Sequence, residues 1–171
     1  MYNYETRLVD SSRMIADVIV AEIGSDKEKF DEMLMLALKD EYPLSMRASR
    51  VVVLSTFKYN SLINSHIPVL IKTLPNSKTD CVKRSILKIF AELPLHLDDE
   101  SIGKLTDICF NLLNDRNQSI ATRAFAIGVL IKVIKKFPDI RFELKAVLES
   151  VMQDGSVGLK SKCRKTLKLI R

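Results

Sequence analysis

Two histidines and three cysteines are the residues of this chain best suited to bind a metal ion or to act as nucleophiles. His66 and His96 lie on separate segments and have no cysteine or acidic residue at ligand spacing. Cys81, Cys109 and Cys163 form no C-x-x-C pair, and each falls within a predicted helix. We interpret His66 as a helix-surface residue, His96 as a loop residue and the cysteines as small core residues.

Other sequence motifs of enzymes are missing as well. The chain contains no G-x-S-x-G nucleophile motif, no phosphate-binding P-loop and no G-x-G-x-x-G after a strand. Gly103 and Gly128 stand alone inside helical patterns, where close helix packing explains them. The sequence therefore predicts no catalytic residue, no metal site and no cofactor, and it indicates no small-molecule substrate.

The composition favours an ordered globular protein. Hydrophobic residues make up 47% of the 171 residues, while only 5 Gly and 5 Pro are present, too few for an all-β chain of this length. The longest apolar run, Ala124 to Ile131, is far shorter than the roughly 20 residues needed to cross a bilayer. The N-terminus has no signal-peptide pattern, and the three cysteines cannot all pair. We expect a cytoplasmic protein without a membrane partner.

An internal repeat is the strongest pattern in the sequence. Four times an apolar helix ends, a short polar link follows, and a second helix opens with an apolar anchor. The anchors are Met46, Val82, Ile120 and Leu159, and they lie 36, 38 and 39 residues apart. Such a period is typical of stacked helical hairpins, which cannot bury their apolar faces alone.

The helical periodicity between the links predicts nine helices. The first lies near 5–22, in a capping segment over residues 1–24. Four pairs follow within a repeat region over 25–171, which we expect to form one compact domain. These pairs are 26–40 with 45–58, 61–74 with 79–93, 99–114 with 119–137, and 140–153 with 157–171. The helix at 119–137 is apolar nearly all round, so we expect neighbours on both sides of it.

The links resemble those of the HEAT-repeat family, in which an acidic residue precedes a basic residue by six positions. Glu41 with Arg47 and Asp154 with Lys160 have this offset, and Lys83 keeps the base of the second link. The resemblance implies that these five residues form a structural ladder between successive repeats.

Two links depart from the family pattern. The second has Ser77 in place of the acid, and the third keeps Asp115 but has Ala121 where the base is expected. The resemblance over residues 25–171 implies an all-α right-handed α-α superhelix of about four hairpins. It also implies that the second helix of each hairpin lines a concave surface.

Charge is segregated between the two helices of the hairpins. The first helices and the N-terminal helix sum to −10, whereas the second helices sum to +14. If the second helices line the inner curve, their bases make that face basic and attractive to acidic partners. The partner-binding candidates are Arg84, Lys88, Arg164, Lys165 and Lys168. The predicted inner positions also include small and apolar residues, some of which we expect neighbouring second helices to cover. These residues are Ala48, Val52 and Ser55 on one helix and Thr122, Ala126 and Val129 on another.

Two classes of function remain open from the sequence. The first is a non-enzymatic scaffold that binds an acidic protein or peptide, which suits a mixed apolar and basic surface. The second is a nucleic-acid-binding protein, or a relic of the HEAT-like glycosylases that act on alkylated DNA bases. Base-trapping enzymes use aromatic rings, and this chain has no Trp and an aromatic content of 6%.

Overall fold

This computed structural model describes residues 2–170, apart from the side chain of Asp154. Within that range, helices form all the regular secondary structure. The described range contains no strand. The prediction of an all-α fold is therefore confirmed.

The chain divides into two compact units between Ile89 and Phe90. The helices that begin in the first unit are α1 (Tyr4–Arg7), α2 (Arg13–Ile23), α3 (Lys27–Leu38), α4 (Leu44–Lys58), a 3₁₀ segment (Asn60–His66), α5 (Ile67–Thr73) and α6 (Asp80–Glu92), the last of which spans the division. The second unit contains α7 (Asp99–Asn114), α8 (Ile120–Lys136), α9 (Ile140–Asp154) and α10 (Val157–Leu169).

Short polar side chains fix where five of the α-helices begin. Each accepts a hydrogen bond from the backbone N–H three residues later and so satisfies a donor that the first helical turn leaves unpaired. These caps are Ser12 on α2, Asp26 on α3, Asp98 on α7, Ser119 on α8 and Ser156 on α10. Local sequence thus determines five helix starts.

Two predicted helices are each divided in the structure. The helix near 5–22 is interrupted because Asp10 accepts the N–H of Ser12 at 2.6 Å, which starts α2 afresh. The helix over 61–74 is a 3₁₀ segment followed by α5. Pro68 lies in the first turn of α5, where its missing N–H leaves no helical hydrogen bond unmade.

Packing within the units follows three of the four predicted hairpins. In the first unit, α3 packs against α4, and α2 contacts both. In the second unit, α7 packs against α8 and α9 against α10, while α8 contacts all three of the other helices. The expectation that the apolar helix at 119–137 has neighbours on both sides is confirmed.

The repeat register differs from the prediction at the third anchor. The second helices of the four hairpins begin at Leu44, Asp80, Ile120 and Val157, so their starts lie 36, 40 and 37 residues apart. Val82 and Leu159, the third residues of α6 and α10, are buried, but Ile120 is 51% exposed. Thr122, the third residue of α8, is the buried equivalent. Ile120 was therefore the wrong anchor.

Candidate functional site

The predicted inner surface is absent from two of the second helices. Ala48, Val52 and Ser55 on α4 are buried, because α2, α3 and the 3₁₀ segment all pack on this helix. The corresponding positions on α8 are also buried, namely Thr122, Ala126 and Val129. These six positions therefore offer no partner-binding surface, whereas the prediction was that neighbouring second helices cover only some of the small and apolar positions.

The two basic candidates on α6 have local contacts. The Nε of Arg84 lies 2.7 Å from an Oδ of Asp80, one helical turn earlier. The Nζ of Lys88 lies 5.3 Å from the centre of the Phe57 ring, within range of a cation–π contact. Both side chains are thus oriented by neighbours within the first unit.

The three candidates on α10 form the most exposed basic surface among the predicted residues. Arg164, Lys165 and Lys168 are exposed, and in the described part of the chain no carboxylate lies within salt-bridge distance of them. No acidic residue occurs within α10. The helix is anchored by its opposite side, where Leu159 and Cys163 are buried. We call Arg164, Lys165 and Lys168 the α10 basic face.

A groove lies between α9 and α10, in the same hairpin as the α10 basic face. Its volume is about 460 Å³, and it is lined by Arg141, Phe142, Lys145, Glu149, Leu167 and Ile170. Phe142 is 63% exposed, although it is a large apolar residue. The guanidinium of Arg141 lies 4.8 Å from the centre of the Phe142 ring. Sequence analysis missed this groove, since it arises only when α9 and α10 pack.

A smaller cavity of about 290 Å³ lies beside α7 and α8. Lys132 lines it and donates from Nζ to the backbone carbonyls of Phe90, at 2.7 Å, and Leu93. Burial, followed by the nearby charge of Lys135, lowers the pKa of Lys132. These hydrogen bonds give Lys132 a structural role at the end of α6.

The predicted ladder bases share one position, the fourth residue of each second helix. Arg47, Lys83 and Lys160 have this position, and Arg123 has it in α8. The Nε of Arg123 donates to the carbonyl of Leu113 at 2.9 Å. The third repeat therefore has its base, and the expectation that Ala121 replaces it is wrong.

Two of these bases contact the same part of the preceding helix. Leu113 is the penultimate residue of α7, and Gln153, whose carbonyl lies 3.3 Å from the Nζ of Lys160, is the penultimate residue of α9. The last carbonyls of a helix have no partner within the helix and carry its negative dipole end. Arg123 and Lys160 stabilise that end.

The remaining ladder residues are placed differently. Arg47 donates from a terminal nitrogen to the carbonyl of Leu8 at 2.7 Å. Glu41 is exposed, and its backbone N–H donates to the hydroxyl of Ser45 at 2.8 Å. Lys83 is half-buried on α6, and the side chain of Asp154 lies outside the described residues.

Asp40 is a clamp residue that the sequence analysis did not single out. Its carboxylate accepts hydrogen bonds from the hydroxyls of Ser77 and Thr79 and from the backbone N–H groups of Lys78 and Thr79. Burial by itself raises the pKa of Asp40, but these hydrogen bonds outweigh it and lower that pKa. An acidic residue two positions after α3, facing a Ser-x-Thr link one repeat later, is the signal that predicts such a clamp.

The histidines do not form a metal site. His66 is half-buried rather than on the helix surface, and its Nε2 lies 2.7 Å from an Oδ of Asp31. His96 is exposed, outside any helix. Among residues 2–170, leaving the Asp154 side chain aside, no cluster of His, Cys, Asp or Glu is suited to hold a metal ion.

The core role predicted for two cysteines is confirmed. Cys109 and Cys163 are buried, and burial raises the pKa of both thiols. In Cys163, the nearby charge of Arg123 partly opposes that rise. Cys81 is only half-buried.

This difference in burial predicts one reactive thiol in the native protein. We expect a thiol reagent such as an aromatic disulfide to modify Cys81 quickly at pH 8, because the thiolate is the reacting form and needs access. Cys109 and Cys163 should react at least about a hundredfold more slowly until denaturant is added. Absorbance of the released thiolate measures both phases, and Cys81→Ser should abolish the fast one. A fast phase that persists in Cys81→Ser contradicts the assignment.

Each of the described helices falls short of the length or the apolar character that crossing a membrane requires.

Comparison with known proteins identifies the family. A family model described as a HEAT repeat domain matches residues 5–170, nearly the whole chain. No match to a curated protein or to a solved structure is found. The matched range includes all four hairpins and α2, and it agrees with the helical pairs and the repeated basic position described above. The chain belongs to the HEAT-repeat family.

Proposed function

We propose that this chain is a non-enzymatic HEAT-repeat scaffold that binds an acidic segment of another protein through the α10 basic face. One observation carries this proposal: Arg164, Lys165 and Lys168 are exposed together on a helix without an acidic residue. Exposed like charges repel one another and destabilise the helix slightly, and an acidic partner relieves that repulsion. HEAT repeats generally mediate protein interactions, which supports the same conclusion.

The surroundings of the basic face favour a protein over a nucleic acid. Leu169, next to Lys168, is exposed, and the groove in the same hairpin exposes Phe142. Protein interfaces combine apolar and aromatic groups with a charged rim. A phosphate backbone instead favours a continuous row of bases. Nucleic-acid binding is therefore an outcome to be tested, not the proposal.

Charge reversal on α10 tests the proposal. We expect Arg164→Glu/Lys165→Glu/Lys168→Glu to weaken binding of a fluorescein-labelled Glu-rich peptide at least about tenfold in 50 mM salt. Three exposed charge contacts of about 0.5–1 kcal/mol each account for this loss. Fluorescence anisotropy measures the affinity, and binding by the native chain should also weaken as salt rises, because exposed charges are screened.

A control variant separates local from overall charge. Lys27→Glu/Lys72→Glu/Lys104→Glu changes the net charge by the same amount at three exposed bases on other helices. It should bind the peptide within about threefold of the native chain. Equal losses in both variants, or no binding of the peptide at 50 mM salt, would overturn the proposal. Labelled duplex DNA in the same assay provides the third arm, and DNA bound more tightly than the peptide would favour the nucleic-acid alternative.

A further inference from the structure

We infer that the groove between α9 and α10 receives an apolar side chain of the same acidic segment, an inference that rests on the proposed function. The α10 basic face then supplies charge contacts, and the groove supplies the apolar contact that distinguishes one acidic segment from another. Both features belong to the last hairpin, within the second unit.

The groove has the size and composition of a binding site. Its volume of about 460 Å³ lies within the range of about 300–1,000 Å³ typical of ligand pockets. Phe142 on α9, Leu167 on α10 and Ile170 just after α10 provide apolar walls. The exposed ring of Phe142 leaves apolar area in water that a partner side chain would cover.

The charges around the groove select the chemistry of the occupant. Arg141 and Lys145 lie one helical turn apart on α9, and Lys168 follows Leu167 on α10. Glu149, a further turn along α9, is the only acid among the lining residues described. Apolar walls with two basic residues beside them, Arg141 and Lys145, fit an apolar side chain flanked by carboxylates.

Charge also favours an acidic partner over a second copy of this chain as the occupant of the groove. A second copy that docked through the same hairpin would bring the α10 basic face against another basic surface, which is repulsive. An acidic segment gains from every one of those charges. The guanidinium of Arg141 also orients the Phe142 ring, so the ring is already positioned for contact with a partner side chain.

Two labelled peptides with equal numbers of Glu test the inference, one with a central Leu and one with Ser in its place. We expect the native chain to bind the Leu peptide about tenfold more tightly. Phe142→Ser should reduce that ratio to about one, because the variant loses the apolar contact. Val157→Ser should keep the tenfold ratio, since Val157 is 85% exposed on the same hairpin but does not line the groove.

The outcomes separate this inference from the proposed function. If both peptides bind equally and charge reversal on α10 still abolishes binding, the groove inference is overturned and the proposed function stands. A Phe142→Ser variant that weakens both peptides equally also overturns the groove inference. If neither peptide binds in 50 mM salt, both proposals fail. A ratio that falls only with Phe142→Ser supports the groove as the apolar site.

Discussion

Replacing Arg123 by alanine is expected to lower the free energy of unfolding by about 3 kcal/mol. Arg123 is only 9% exposed, and its Nε donates to the carbonyl of Leu113 in the last turn of α7. Its charge also acts on Cys163 in α10. The variant loses a charge-assisted hydrogen bond, leaves a buried carbonyl unpaired and creates a cavity where three helices meet.

Urea unfolding followed by circular dichroism measures this loss. With a slope of about 2 kcal/mol per M, the midpoint should fall by about 1.5 M. Arg164→Ala removes the same side chain from an exposed position in the same unit and should change stability by less than about 0.5 kcal/mol. Arg123→Lys keeps the charge but loses the planar donor group, so its urea midpoint should lie between those of Arg123→Ala and Arg164→Ala. If Arg123→Ala and Arg164→Ala unfold at the same urea concentration, Arg123 has no such role.

Arg123 also shows where sequence reasoning reached its limit. The six-residue offset was counted from Asp115, which is the first residue after α7, whereas Glu41 is the third residue after α3. The count therefore ended two residues early, at Ala121. Measured from the helix ends, Arg47 and Arg123 each lie nine residues beyond the preceding helix. A helix end is visible in three dimensions, but a degenerate link in the sequence marks it only approximately.

Helix positions were predicted well because their signals are local. The helix over 99–114 was predicted with both of its observed ends, since Asp98 caps its start and Asp115 begins the next link. A cap needs only residues within one turn of each other, so the sequence contains the whole interaction. The 3.6-residue period of apolar residues is likewise a local signal, so it can be recognised from the sequence.

The exposed surface was predicted poorly because burial depends on distant neighbours. Ser45, Ser55 and Thr56 on α4 are polar yet buried. The hydroxyl of Thr56 donates to the carbonyl of Val52, and that of Ser45 donates to the carbonyl of Leu36, so both are satisfied without water. Small hydroxyl residues allow close helix packing, but in the sequence they look like solvent-exposed positions.

Two groups among the bases of the second helices have different surroundings. Arg47, Arg123 and Lys160, all at the fourth position, donate to backbone carbonyls and stabilise the fold. The α10 basic face lies later in its helix and projects into solvent. Basic charge in this chain is thus partly structural, and the exposed second group is the one that we propose to bind an acidic partner.

Replacing Asp40 is expected to destabilise the protein by a different mechanism. Asp40 has φ of 61°, a left-handed conformation that glycine adopts without strain and asparagine tolerates. Asp40→Gly removes all four hydrogen bonds to the Ser77–Thr79 link but relieves the backbone, so we expect a loss of about 2–3 kcal/mol. Asp40→Ala loses the same hydrogen bonds and places alanine in the left-handed backbone conformation, so its loss of stability should be about 1 kcal/mol larger. Urea unfolding at pH 7 compares the two variants.

Acid titration then distinguishes the charge of Asp40 from its shape. Because hydrogen bonds lower the pKa of Asp40 in the folded chain, its stabilisation is complete above the unfolded pKa of about 3.9 and is lost as pH falls through the lower folded value. Asp40→Asn keeps the left-handed preference without the titration, so its stability should fall less steeply below about pH 4. Asp107→Ala, an exposed acid on α7, should match the native chain at pH 7 within about 0.5 kcal/mol. An Asp40→Gly variant as stable as Asp107→Ala would mean that the clamp contributes nothing, and the link to α6 would need another explanation.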